Sequence, residues 1–195
     1  MSRAPIASCA LFALISISAF AQTSAGMPLP KIEGDSFSGQ HIVLPDAASG
    51  KVAVLIFGFT KASKTPTAAW AKKLSADFAR QPFFALYQLP VLEDVPRLVR
   101  GMVISSIRKG VPEETRDHFV PILNGEADLK KLVSYKEQDD AYLVVLNRDG
   151  KIVAQLHGTA TDASYAPLKA HVVLLINGIE VRKPQSCEIY SSTIR

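Results

Sequence analysis

The sequence predicts an α/β domain built in layers, and three observations carry that prediction. Strand-like and helix-like patterns alternate along the chain. The run Val52–Phe57 (VAVLIF) is apolar at every position, which a strand covered on both faces requires. Two further strand-like runs, Tyr142–Leu146 and Lys151–Leu156, flank the turn Asn147-Arg148-Asp149-Gly150 and read as a β-hairpin.

Residues 1–21 are set apart as an export signal. Arg3 gives a positive start, Ala10–Phe20 is an apolar run too short to span a bilayer, and Ala19-Phe20-Ala21 is a small-x-small cleavage pattern. Cys9 precedes the apolar run, so a lipid-anchored form is disfavoured. The mature chain is expected to start at Gln22, with one domain over residues 22–178 and a C-terminal tail over 179–195. No later stretch is apolar enough to cross a membrane, since His171–Ile176 is only a few residues long. The expected location is therefore outside the cytoplasm, periplasmic or secreted.

The formal net charge of the chain is +4, a small surplus that does not call for nucleic-acid binding. Of the two cysteines, Cys9 would leave with the signal, and Cys187 would stand alone in the polar tail, so no disulfide can form within the mature chain. The four histidines, His41, His118, His157 and His171, are scattered without ligand spacing. Neither a metal nor a cofactor is called for.

In chain order, residues 22–31 read as an extended lead-in, and Phe37–Leu44 with Gly39 as a short hairpin. Val52–Phe57 is the central strand. Thr65 can cap a helix that has Pro66 at its first position and buries Trp70, Leu74 and Phe78 along one stripe, with Lys72, Lys73 and Arg80 on the wet side. Phe83–Leu89 is a second strand. Next comes a helix from Asp94 or Val95 to about Lys109, with Leu98, Val99, Met102, Val103 and Ile107 facing inward, stopped by Gly110-Val111-Pro112. Asp117–Leu123 is a weak strand signal and Glu126–Val133 a weak helix signal. After the hairpin, Ala163 to about Ile176 forms the closing helix, with Leu168, Val172 and Leu175 inward.

This order of elements resembles the thioredoxin-like fold, and so do local words. Phe57-Gly58-Phe59-Thr60 running into Lys61–Trp70 is similar to the active-site strand, loop and helix of the exported TlpA-, Sco- and peroxiredoxin-like branch. Leu143–Gly158 (LVVLNRDGKIVAQLHG) is similar to its hairpin. Trp70, the segment Arg97–Pro112 and the hairpin Asp139–Gly158 also resemble the thioredoxin-like assembly factors of the mitochondrial ATP synthase and their bacterial relatives. The resemblance implies a three-layer α/β/α sandwich around a mixed sheet.

It also implies where a reactive site would stand. Counting from Thr60 places Ala62 and Thr65 at the two CxxC positions, and counting back from Gly150 places Ala141 at the position of the family's cis-proline. Neither Ala62 nor Thr65 can form a disulfide or a thiolate, so dithiol chemistry at this loop has no atoms to run on. A cis bond before a non-proline residue would cost about 2.5–4 kcal/mol, so Asp140–Ala141 is expected to be trans. The copper-binding variant fails too, because it needs two loop cysteines and a histidine near Asp139. Ser63 has no nucleophile elbow around it, and the neighbouring carboxylates Asp139 and Asp140 read as a solvated loop. Lys61 and Lys64 beside a helix start could favour an anion.

The reading favoured is a redox-inactive thioredoxin-like protein that binds an envelope protein or peptide, in an assembly or chaperone-like role rather than as an enzyme. Its site would be the vestigial loop, Lys61, Ala62, Ser63, Lys64 and Thr65, with the adjoining edge at Ala141 and Tyr142. The rival is a thiol-dependent oxidoreductase or peroxidase-like enzyme that uses a non-standard site such as Cys187.

Overall fold

The computed structural model describes residues 26–178; the signal-like segment, the tail and Cys187 lie outside the described residues. The core is a five-stranded sheet of β1 (Met27–Pro28), β4 (Val52–Gly58), β5 (Phe84–Pro90), β6 (Ala141–Leu146) and β7 (Lys151–Gly158). Its order is β1-β7-β6-β4-β5. β4 runs parallel to β5, while β6 is antiparallel to both β4 and β7, so the sheet is mixed as the sequence predicts.

β4 explains its own apolar sequence. It is hydrogen-bonded on both sides, with Leu55 opposite Tyr87 of β5 and Val144 of β6, and both faces are covered. Val52, Val54 and Ile56 point to one face, where helices α1 (Lys64–Phe78) and α4 (Asp162–Ile176) deliver Trp70, Leu74, Phe78, Leu168, Val172 and Leu175. These are the six inward residues expected of the two helices. Ala53, Leu55 and Phe57 point to the other face.

That second face is covered differently from expectation. The hairpin of β2 (Ile32–Asp35) and β3 (His41–Leu44), residues Val120 and Ile122, and the short helix α3 (Glu126–Leu132) pack against it. Helix α2 (Arg97–Lys109) buries no residue at all. Leu98, Val99 and Met102 were expected to face inward, but they are exposed, while Val103 and Ile107 are half-buried. The apolar period was real; the sheet surface it would have covered was already occupied.

Other boundaries shift for local reasons. The first hairpin begins at Ile32, because Phe37 lies in its turn and is buried there by stacking on Phe119, ring centroids 5.0 Å apart. Residues 117–123 form no regular strand, only isolated bridges of Phe119 to Gln88 and of Ile122 to Val91. The turn joining β6 and β7 is closed by Asn147, whose Oδ1 accepts from the amides of Asp149 and Lys151 at 3.0 Å each. Gly150 sits there at φ +73°, and a Cβ on it would meet Pro45 at 2.8 Å. No helix among the described residues is long and apolar enough to cross a membrane.

Candidate functional site

The loop between β4 and α1 is wired by hydroxyls. Thr60 Oγ1 accepts from the amides of Ala62 (3.1 Å) and Ser63 (3.3 Å) and donates to the Gln138 carbonyl at 2.6 Å. Ser63 Oγ donates to the Thr60 carbonyl at 2.8 Å and accepts from the Thr60 amide at 3.4 Å. Gly58 makes room for this, because a Cβ there would stand 2.9 Å from Ser63 Oγ. Helix α1 starts at Lys64, not at Pro66, and its flanking residue is Ser63 rather than Thr65. Ser63 makes no cap bond into the helix, because its hydroxyl is turned back to Thr60.

Across from the loop, Tyr142 organises the segment that leads into β6. Its hydroxyl accepts from the amides of Lys136 and Glu137 at 2.8 Å each and donates to the Glu137 carbonyl at 2.9 Å. Its ring meets Phe59 edge-on at 5.6 Å, lies 5.3 Å from Tyr135 and stacks on His157 at 5.5 Å. His157 Nδ1 in turn lies 2.6 Å from Asp140 Oδ2. On the opposite face of the sheet, Trp70 Nε1 donates to the Gly158 carbonyl at 2.9 Å, which fixes the end of β7 to α1.

The predicted site residues divide into two groups. Lys61, Ala62, Lys64 and Thr65 are exposed. Ser63, Ala141 and Tyr142 are buried, so they offer a partner no surface. β6 is an interior strand: Tyr142 pairs with Phe57 on one side and His157 on the other, and Ala141 pairs with Gly158. Tyr142 is therefore closed on both sides to an added strand, while Ala141 is paired on the β7 side alone. The Asp140–Ala141 peptide is trans.

The chemistry follows from these placements. At the helix start, the Ala62 and Ser63 amides are bonded to Thr60 Oγ1 and the Lys64 amide to the Lys61 carbonyl at 3.3 Å, so the donors an anion would need are largely taken. The Ser63 hydroxyl is enclosed and bonded both as donor and acceptor, which is not the state of a nucleophile. Asp140 is not a freely solvated carboxylate, since it is the partner of His157. Of the other histidines, His41 pairs with Asp35 on the surface, and burial lowers the pKa of both His118 and His171, with Lys51 adding to the effect at His118.

Sequence reasoning missed Thr60, His157 and the hydroxyl of Tyr142 as organisers. Thr60 had a signal available: a threonine directly after a central strand and two and three residues ahead of amides at a helix start is placed for a local side-chain turn.

No family model matches the sequence, and neither does any curated protein. Solved structures do match. A candidate thiol:disulfide interchange protein DsbE from Chlorobium tepidum superposes with a TM-score of 0.57 at 16% identity, over 80% of this chain and 99% of that one. The exposed lipoprotein thioredoxin Etrx1 of Streptococcus pneumoniae gives 0.51 at 13% identity, over 72% and 97%. BsSco, a member of the Sco family of cytochrome c oxidase assembly proteins, gives 0.51 at 13% identity, over 77% and 96%. With a mixed five-stranded sheet and α1 and α4 packed on one face, matched over most of its length by these structures, this chain has the thioredoxin-like fold.

Proposed function

We propose that the chain acts outside the cytoplasm as a binding module for an envelope protein or peptide, without thiol chemistry, and that the exposed side chains of Lys61, Ala62, Lys64 and Thr65 form the contact. One observation carries this reading. The two positions that the resemblance assigns to an oxidoreductase dithiol hold Ala62 and Thr65, on a loop closed by Thr60 and Ser63 hydroxyls. A loop whose turn is already held by its own hydroxyl and amide hydrogen bonds presents its exposed side chains from a preorganised backbone, which suits recognition. The export signal read in residues 1–21 and the exposed lipoprotein among the structural neighbours support the location. The Sco neighbour, described as an assembly protein, supports a role toward other proteins.

A photo-crosslinking residue at position 64, in the native envelope, should trap one specific protein, and adding Lys61→Glu to that variant should reduce the adduct. A crosslinker at position 72 on the exposed side of α1 serves as the control. Reduction of insulin or turnover of peroxide by the purified protein, abolished in Cys187→Ser, would instead establish the enzyme reading.

A further inference from the structure

Helix α2 buries none of its residues, although its apolar spacing is that of a core helix. Leu98 is 97% exposed, Met102 75% and Val99 40%. Leu98 and Met102 are four residues apart, so they stand one above the other on a single side of the helix. Arg100, Val103, Ile104 and Ile107 take the half-buried side. Large apolar side chains held almost wholly in water, adjacent on one helix face, indicate a surface that something else covers.

Charge narrows what that is. Residues 96–112 contain Arg97, Arg100, Arg108 and Lys109 and no Asp or Glu. Arg100 is committed to the carbonyls of Glu93 and Val95 at 2.7–3.2 Å. Arg97, Arg108 and Lys109 make no side-chain hydrogen bond or ion pair among the described residues. At 3.6 residues per turn, Arg97 and Arg108 lie along one flank of the Leu98–Met102 strip, and Lys109 continues the strip two turns on. The preceding carboxylates are engaged elsewhere: Glu93 Oε2 accepts from the Glu126 amide at 2.6 Å, and Asp94 lies 3.8 Å from Lys130 Nζ. Glu113 and Glu114, beyond Pro112, are exposed.

Protein interfaces anchor on aromatic side chains, and α2 has none. Aliphatic and thioether side chains among uncompensated cations are instead the pattern of a helix lying in a lipid interface, where apolar groups enter the acyl boundary and basic groups meet the phosphates. We infer that α2 is a peripheral docking element for an anionic lipid surface, with Leu98, Val99 and Met102 entering the interface and Arg97, Arg108 and Lys109 contacting lipid phosphates. This inference is independent of the loop at residues 61–65.

Vesicle flotation of the exported protein, purified as the cell makes it, tests the inference. The protein should float with vesicles of phosphatidylglycerol and phosphatidylcholine and lose binding as salt rises. Leu98→Ser/Met102→Ser and Arg97→Gln/Arg108→Gln should each bind roughly tenfold more weakly or worse, with thermal midpoints unchanged because the altered side chains are exposed. Leu98→Trp supplies a second readout: its emission should shift to the blue on anionic vesicles and be quenched by brominated lipid, while Trp70, fully buried, stays silent. Equal binding to phosphatidylcholine alone, flotation of the serine variant at wild-type level, or no flotation of the wild-type protein would overturn the inference. So would a serine variant that turns a dimer into a monomer in sedimentation while its flotation is unchanged, since that marks a protein contact.

Discussion

Replacing Tyr142 by Phe removes one oxygen and leaves the ring, so it isolates what the hydroxyl does. Tyr142 is 1% exposed, and its ring contacts with Phe59, Tyr135 and His157 survive the change. What is lost is two accepted bonds, from the amides of Lys136 and Glu137, and one donated bond, to the Glu137 carbonyl. A typical intramolecular hydrogen bond contributes about 0.5–1.5 kcal/mol net, and more when its abandoned partner stays dry. Lys136 and Glu137 are exposed, so water can reach part of what is abandoned, and the lower half of that range applies to each bond. Three bonds then give a destabilisation of about 1.5–3 kcal/mol. Urea unfolding should show this as a lower midpoint with an unchanged slope. Hydrogen exchange should show a local counterpart: the amides of residues 136 and 137 lose protection while those of β4 keep their rank. A variant within 0.5 kcal/mol of wild type, together with amides at 136 and 137 that are already unprotected in the wild-type protein, would refute the reasoning.

Other expectations are narrower. Thr60→Val keeps the shape but removes the hydroxyl that bridges the loop to Gln138, and it should cost about 1–2 kcal/mol and release the amides of Ala62 and Ser63 to exchange. Gly150→Val puts a β-branched residue at φ +73° and its Cβ against Pro45, and it should lower the unfolding free energy by about 2 kcal/mol or more, read by calorimetry. His118 is held neutral by burial and by Lys51, so its folded-state pKa lies below its unfolded value of about 6.5. Its contribution is complete above that pH and disappears as pH falls through the folded value, so His118→Phe should flatten the fall in urea midpoint below pH 6.5.

The parts of the fold that were legible are those in which a pattern has one physical cause. Val52–Phe57 is apolar throughout because both faces are covered and both edges are paired, and Trp70, Leu74 and Phe78 recur because one stripe of α1 meets the sheet. Helix α2 shows where that logic stops. Period 3.6 marks an apolar side but does not say that a sheet face is free to receive it, and here the β2–β3 hairpin, Val120, Ile122 and α3 had taken the place. The loop was legible as a place, from the strand before it and the helix after it. Its internal order was not, because the contacts of Thr60 with Gln138 and of Tyr142 with Glu137 join segments that share no period. The accessibility of Tyr142 depended in the same way on β6 having a neighbour on each side.

The turn at residues 60–63 is fastened by oxygen and nitrogen, through bonds that carry no electrons to a reductant and accept none from an oxidant. Glutathione, peroxide or a change of compartment poise can open or close a sulfur latch, yet each leaves this fastening as it was. The loop's own fastening is therefore the same in every redox climate, and if the proposed binding holds, control over it would come from the partner's supply or from where the protein is held.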